Sequence, residues 1–304
     1  MRSEEEMLEL ILNVAKNDKR IRAVLLTGSR ANPSAPRDAY QDYDITYFVK
    51  DVTPFYHNLD WIEEHFGKPA VLQMPEIMTH PSLPPDGDGH FTYLMLFEDG
   101  NRIDLNFEFR PFTHTGEPAV ILLDKDGALP PLPAPSDAIW HIKPPSQKIF
   151  QDCCNEFWWC LNNVGKGIAR DELPYVMEMF NRCVRDMLNQ MVEWYIGIQT
   201  DFAVSAGKMG KYYKRYLAPD IYALYAETYS DSEYEHVWAA IFAACELFRL
   251  LAQAVAVVFG YGYNRQEDAA MMAYLTGIRQ GNVQFGQGEG KERNDADTDR
   301  ISGS

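Results

Sequence analysis

Six of the eighteen prolines in this chain fall within residues 129–145. Proline fixes its own φ, lacks an N–H and pushes the residue before it out of the helical region, so neither a helix nor a central strand runs through such a stretch. The hydrophobic period differs on its two sides. Upstream, apolar residues alternate or fall in short β-rich runs; from Ser146 onward they recur at helical spacing. The expected fold is therefore α+β: a mixed β-sheet domain with flanking helices over 1–128, a proline-rich linker at 129–145 and an all-α helical bundle over 146–284. Residues 285–304 lose apolar content and read as a disordered tail. A chain of 304 residues is long enough for two such cores.

In the first domain, Ser3 and Glu6 carry a capping-box signature ahead of a helix over 3–16. A strand over 21–27 runs into Gly28-Ser29-Arg30, and a second strand covers 42–49. A short helix at 60–66 and a strand at 71–74 follow, then a loop rich in Pro, Gly and Asp at 81–89. The Asp99-Gly100 pair marks the turn of a hairpin with strands at 91–97 and 102–109, and a last strand begins at Val120. Helices are expected over 147–165, 172–198, 207–217, 219–229, 233–258 and 266–279.

Asp42 and Asp44 stand at i and i+2 on the second strand, so their carboxylates share a face. Asp104 has the same outward phase on the hairpin's return strand, whose Ile103, Leu105, Phe107 and Phe109 face the other way. Asp-x-Asp is common at solvated strand ends, but here the pair lies in an apolar strand, downstream of a strand–glycine turn. Three hard anionic oxygen donors suit one or two Mg2+ ions. The metals would be held by Asp42, Asp44 and Asp104, with Asp104 also placed to accept a proton from an acceptor hydroxyl. Gly28 and Ser29 would offer backbone N–H groups and a hydroxyl to the β- and γ-phosphates of a triphosphate, and Arg30 a charge-assisted contact. Phosphoryl or nucleotidyl transfer is the chemistry such a set performs.

The formal net charge of −16 argues against a nucleic-acid-binding protein and fits a cationic small-molecule partner, although acidity alone also serves solubility. Five cysteines without a Cys-x-x-Cys pair indicate neither a disulfide framework nor a zinc site, and a reduced cytoplasmic setting is expected. The acidic start lacks the basic region of a signal peptide. The apolar segment 237–259 contains Glu246 and Arg249 and reads as a buried bundle helix, with no membrane partner. Phe157, Trp158 and Trp159 read as core. The sequence leaves the oligomeric state open.

The order Gly28-Ser29-Arg30, Asp42-Tyr43-Asp44, Asp104 resembles the nucleotidyltransferase fold of the DNA polymerase β superfamily. Longer blocks sharpen the likeness. The runs Gln41-Asp42-Tyr43-Asp44-Ile45-Thr46-Tyr47-Phe48-Val49, Leu96-Phe97-Glu98-Asp99-Gly100-Asn101-Arg102-Ile103-Asp104-Leu105 and Leu122-Leu123-Asp124-Lys125-Asp126 are similar to those of the aminoglycoside 6-adenylyltransferases (streptomycin adenylyltransferases). So are Asp152-Cys153-Cys154-Asn155-Glu156-Phe157-Trp158, Gly207-Lys208 and Lys211-Tyr212-Tyr213-Lys214-Arg215-Tyr216-Leu217. The resemblance covers about residues 1–280, with poorer agreement at 33–37 and 112–118. It implies transfer of AMP from ATP to the 6-hydroxyl of streptomycin, whose streptidine ring carries two guanidinium groups.

Guanidinium groups pair with carboxylates in a planar, bidentate way. Asp152 and Glu156, one turn apart on a helix, are the expected substrate-binding acids, with Glu178 or Asp186 as additions; a solvated acidic face is the alternative. Lys208, Lys211, Lys214 and Arg215 form a basic cluster, and on a helix over 207–217 Lys208 or Lys211 would reach the triphosphate. Other acceptors (another aminoglycoside, a lincosamide, a protein hydroxyl) keep the same chemistry. A non-catalytic nucleotide-binding module would not need the three aspartates, and a calcium-binding structural protein would need a denser oxygen-ligand loop.

Overall fold

The first helix begins where its cap is encoded. Ser3 Oγ accepts from the Glu6 N–H at 3.2 Å, and the Ser3 N–H donates to Glu6 Oε2 at 2.7 Å. In the computed structural model, which describes residues 1–78 and 90–282, this helix, α1, spans Glu4–Asn17 and buries Met7, Ile11, Val14 and Ala15. The expected loop at 81–89 and the tail at 285–304 lie outside the described residues. Contacts divide the chain into two compact units, Met1–His141 and Ile142 onward, so the division falls inside the proline-rich stretch.

In the first unit, β1 (Ile21–Leu26) is followed by the single turn α2 (Gly28–Ala31), β2 (Tyr43–Val49), α3 (Leu59–Phe66), β3 (Val71–Gln73), β4 (His90–Leu96), β5 (Arg102–Glu108) and β6 (Val120–Asp124). The sheet order is β3-β4-β5-β2-β1-β6, with β2 parallel to β5 and the other neighbours antiparallel. Alternation along the central strands sets the layers. Tyr43, Ile45, Tyr47, Ile103, Leu105 and Phe107 are buried, whereas Asp44, Thr46, Asp104 and Asn106 between them are only half-buried. Phe109 departs from the expected apolar face and is 49% exposed, because β5 ends one residue earlier.

Helices α1 and α3 pack on the apolar face. Phe55 stacks on Phe107 at 4.4 Å between ring centroids, and Trp61 meets both rings edge-on. Tyrosine hydroxyls satisfy backbone groups there: Tyr47 donates to Ile11 O at 2.6 Å and Tyr93 to Phe55 O at 2.7 Å. Lys125, just past β6, donates to the carbonyls of Ala15 and Asp18 and so closes the C-terminal end of α1. The opposite face of the sheet carries the half-buried polar side chains Asp44, Thr46, Asp104 and Asn106.

The second unit contains α4 (Gln147–Ala169), α5 (Leu173–Glu178), a π turn (Met179–Val184), α6 (Arg185–Gln199), α7 (Tyr213–Tyr216), α8 (Pro219–Glu227), α9 (Tyr234–Phe259) and α10 (Arg265–Arg279). Phe157 of α4 stacks on Phe248 of α9 at 3.8 Å in the core. Phe157 and Trp158 are buried as expected, but Trp159 is 65% exposed, since only two of three consecutive helical residues can face one core. By length and composition α9 could cross a membrane; here Val237, Ile241, Phe248, Leu251 and Val255 along it are core residues.

Two expected helices of this unit are corrected as well. The span 207–217 is not one helix: a short 3-10 turn at Lys208–Gly210 precedes α7, and Gly207, Met209 and Gly210 all have φ between 57° and 74°. A right-handed helix cannot pass through residues in the left-handed region. The expected helix at 172–198 is interrupted by the π turn. Just beyond it, the buried Arg185 guanidinium donates to Thr228 Oγ1 at 2.9 Å and Thr228 O at 2.7 Å, at the C-terminal end of α8, and covers the Tyr229 ring.

Arg249 does not use Glu246. It grips Asp268 of α10 through Nε at 2.5 Å and Nη2 at 2.6 Å, and Tyr263 donates to the same carboxylate at 2.9 Å. Asp268 is 5% exposed. Arg249→Ala is therefore expected to leave a buried, uncompensated charge and to lower stability by about 3–5 kcal/mol, read as a shift of the urea unfolding midpoint; a cost under about 1 kcal/mol would mean that solvent reaches the pair.

Candidate active site

The site begins at the end of β1. The Thr27 N–H donates to Asp44 O at 2.9 Å, which ties the start of α2 to β2. Gly28 follows with φ +65°, and a Cβ placed there would lie 1.8 Å from Asp44 Oδ2. The Asp44 carboxylate thus rests against the Gly28 backbone, an approach that only glycine permits. Ser29 is half-buried on the same single turn.

The parallel register of β2 and β5 sets Asp44 directly beside Asp104. Asp42 immediately precedes β2 and shares the phase of Asp44, so three carboxylates converge on the polar face although about sixty residues separate them in sequence. Burial, and then the neighbouring charges of Asp104 and Asp42, push the Asp44 carboxyl up to about 6. Asp42 is also raised, by burial first, with Arg102 acting in the opposite sense. Beyond these acids Thr46 pairs with Asn106, and Thr92 Oγ1 donates to Asn106 Oδ1 at 2.6 Å, which extends the polar row toward β4.

Two arginines answer this charge differently. Arg30, expected on the phosphates, is 7% exposed. Its Nε donates to Asp42 O at 3.1 Å, its Nη2 to Gln41 O at 2.9 Å, its Nη1 lies 3.2 Å from Glu4 Oε2, and its guanidinium stacks 3.8 Å above the Tyr43 ring. Arg30 therefore shapes the entry into β2 and holds Asp42 by its backbone. Arg102 was not singled out from the sequence. It donates from Nε and Nη2 to the two oxygens of Asp104 at 2.7 Å each, and its Nη1 lies 3.4 Å from Asp42 Oδ2. The signal for it was present, because Arg102 has the same strand phase as Asp104 two residues on.

The donor set fits a divalent cation in its chemistry. Burial, and then the charges of Asp104 and Asp42, raise the Asp44 carboxyl to about 6, and a hard cation among the three oxygen donors would favour its charged form. Among the described residues, however, no three His, Cys, Asp or Glu side chains are gathered tightly enough to enclose a metal, and Arg102 supplies the compensating charge.

In the helical unit, Asp152 and Glu156 share one exposed face of α4. Asp152 pairs with Lys148 at 2.7 Å, and Glu156 accepts from the Cys160 thiol at 3.1 Å. Glu178 pairs with Arg182 at 3.3 Å, and Asp186 is exposed on α6. Lys208 and Lys211 are exposed on the broken segment ahead of α7, with Lys211 5.2 Å from the Tyr212 ring. All five cysteines are free.

The model of the streptomycin adenylyltransferase family matches residues 1–278. An aminoglycoside 6-adenylyltransferase of Bacillus subtilis is 40% identical over 283 residues, 91% of this chain and 98% of that protein. One from Campylobacter jejuni is 40% identical over 267 residues, 86% of this chain and 91% of that protein. A crystal structure of an aminoglycoside 6-adenyltransferase from Bacillus subtilis aligns at 36% identity over 92% of this chain and 99% of that one, with a TM-score of 0.46.

Gly28→Ala should displace the Asp44 carboxylate by more than an ångström and reduce turnover by about a hundredfold or more, read as kcat in a folded variant; unchanged kcat would mean that Asp44 need not touch the glycine. Asp44 also predicts a pH effect on the metal-free protein. Its folded pKa is raised, so its destabilising contribution is absent below the unfolded carboxyl pKa, grows between that value and about 6, and is complete above it. Asp44→Asn should therefore stabilise the metal-free protein at pH 7.5 by on the order of 2 kcal/mol, and change it little at pH 3.5, as measured by urea unfolding in chelator.

Proposed function

The chain belongs to the streptomycin adenylyltransferase family, and from that membership we propose that this adenylyltransferase moves AMP from ATP onto the 6-hydroxyl of streptomycin and releases pyrophosphate. Adenylyl transfer to an aminoglycoside is the function of the relatives. The single observation that best supports metal-assisted nucleotidyl transfer is the in-register pairing of Asp44 with Asp104 against Gly28, whereas streptomycin as acceptor rests on the family.

Asp42, Asp44 and Asp104 are the residues proposed to hold Mg2+, one ion or two. Bound there, the metal would neutralise the triphosphate and the leaving pyrophosphate and lower the pKa of the acceptor hydroxyl. The rest falls to the chain. Gly28 and Ser29 would offer N–H and O–H donors to the phosphates without a side chain in the way. The acceptor oxygen attacks the α-phosphorus and bonds to it. The bond from that phosphorus to the bridging oxygen breaks, and pyrophosphate leaves with the electron pair. Asp104 is the proposed recipient of the hydroxyl proton. Its place on a rigid central strand keeps its position fixed relative to Asp44.

For the acceptor, Asp152 and Glu156 are the proposed partners of the guanidinium groups. A cationic acceptor would exchange for Lys148 on Asp152, an exposed pair that costs little to open. Lys208 and Lys211 are the proposed phosphate contacts of the helical unit. Both are exposed on the segment broken by left-handed residues. The formal charge of −16 favours a cationic acceptor over a nucleic acid.

Purified protein with ATP, Mg2+ and a panel of aminoglycosides, a lincosamide and a protein acceptor tests the reading through pyrophosphate release. Release with streptomycin, and loss of it by a factor of at least about a hundred in each of Asp42→Asn, Asp44→Asn and Asp104→Asn, is the expected result. Asp104→Asn should still bind ATP. Release with another acceptor and none with streptomycin would reassign the substrate, and near-normal turnover in Asp44→Asn would remove the metal assignment.

A further inference from the structure

We propose that Arg102 is the resident counter-ion of the carboxylate cluster and that a divalent cation enters by exchange, displacing the guanidinium from Asp104 and Asp42. This rests on the metal reading above. Arg102 and Asp104 are two residues apart on β5, so the pleat presents both on the polar face of the sheet. The guanidinium engages both oxygens of Asp104 at 2.7 Å and reaches Asp42 at 3.4 Å. A bidentate fork of this kind uses the carboxylate edge that a metal would need. Arginine and metal therefore compete for the same oxygens.

The three acids differ in how free they are to make the exchange. Asp44 is pinned between Gly28 and the backbone pairing with Thr27, and Arg102 makes no hydrogen bond to it. It is the fixed member of the cluster. Asp42 and Asp104 carry the contacts to Arg102, so those two must release it before three carboxylates can converge on one ion. Arg102 is itself free to leave, because its side chain is 43% exposed and water can replace the carboxylates. The other nearby arginine cannot play this part. The Arg30 side chain is 5% exposed, and its donors go to two backbone carbonyls and Glu4. One arginine is thus part of the frame, and the other is a cation held at the mouth of the site.

Exchange makes a prediction about metal binding that needs no turnover. Manganese(II) alone, without nucleotide, is titrated into wild type, Arg102→Gln, Arg102→Lys and Asp44→Asn by calorimetry and by electron paramagnetic resonance. Arg102→Gln is expected to bind Mn2+ about three- to tenfold tighter than wild type, since it removes one charge-assisted bidentate but exposed pair. Arg102→Lys keeps the charge but cannot grip two oxygens in one plane, so it should also tighten binding, by a smaller factor. Asp44→Asn should abolish the binding, which locates the ion at the cluster.

Asp44-dependent binding whose Kd is the same in wild type and both Arg102 variants would overturn the exchange and leave the metal reading standing. Tighter binding in Arg102→Gln with Arg102→Lys equal to wild type would reduce Arg102 to a distant field and overturn the exchange as well. Binding that ignores Asp44, or none in any protein, would overturn the exchange together with the metal reading. Circular dichroism checks the fold of each variant. Should Arg102→Gln not fold, the comparison of Arg102→Lys with wild type decides by the same criterion.

Discussion

The parallel pairing of β2 with β5 is the constraint on which the site depends. It puts Asp44 and Asp104 side by side, and antiparallel neighbours on both flanks hold the register. A one-residue slip would turn every carboxylate into the apolar layer and every aromatic into water. The aromatic layer beneath opposes that slip. Tyr47 is hydrogen-bonded to α1, and Phe107 is enclosed by Phe55, Trp61 and Tyr93. The buried face thus acts as the jig for the polar one.

Burying carboxylates side by side has an electrostatic cost: desolvation first, and then the charges of Asp104 and Asp42, raise the Asp44 carboxyl. The chain meets it with two arginines and one glycine. Arg30 is turned to the backbone ahead of β2 and stacked on Tyr43, and it fixes where Asp42 begins. Arg102 compensates Asp104 and Asp42 directly. Gly28 removes the side chain that would otherwise occupy the Asp44 carboxylate position. Proximity of the acids, compensation of their charge and access by backbone are met by different residues, each held by a different element.

Much of this was legible in the primary structure because it is local. The strand period of two put Asp42 and Asp44 on one face and Asp104 in the matching phase. The Asp99-Gly100 turn marked the hairpin, and Gly100 takes φ +82° there. The same period would have singled out Arg102. The role of Arg30 was not legible, since it depends on Glu4, Tyr43 and two carbonyls that only folding gathers around it. The basic run at 207–217 has good helical spacing, but Gly207, Met209 and Gly210 take left-handed conformations and break it. Spacing alone does not report φ.

What the sequence by itself determined is which side chains share a face, where elements begin and turn, and the family to which the chain belongs. These follow from intervals of two to four residues and from the identities of whole blocks. Only the tertiary structure decided that Asp44 stands opposite Asp104, that its carboxyl is raised to about 6, and that Arg102 pairs with the carboxylates of Asp104 and Asp42 while Arg30 turns its donors to the backbone ahead of them. The physical reason is that Coulomb interactions and desolvation depend on distance and burial across strands remote in sequence. Those quantities do not exist until β2 and β5 pair.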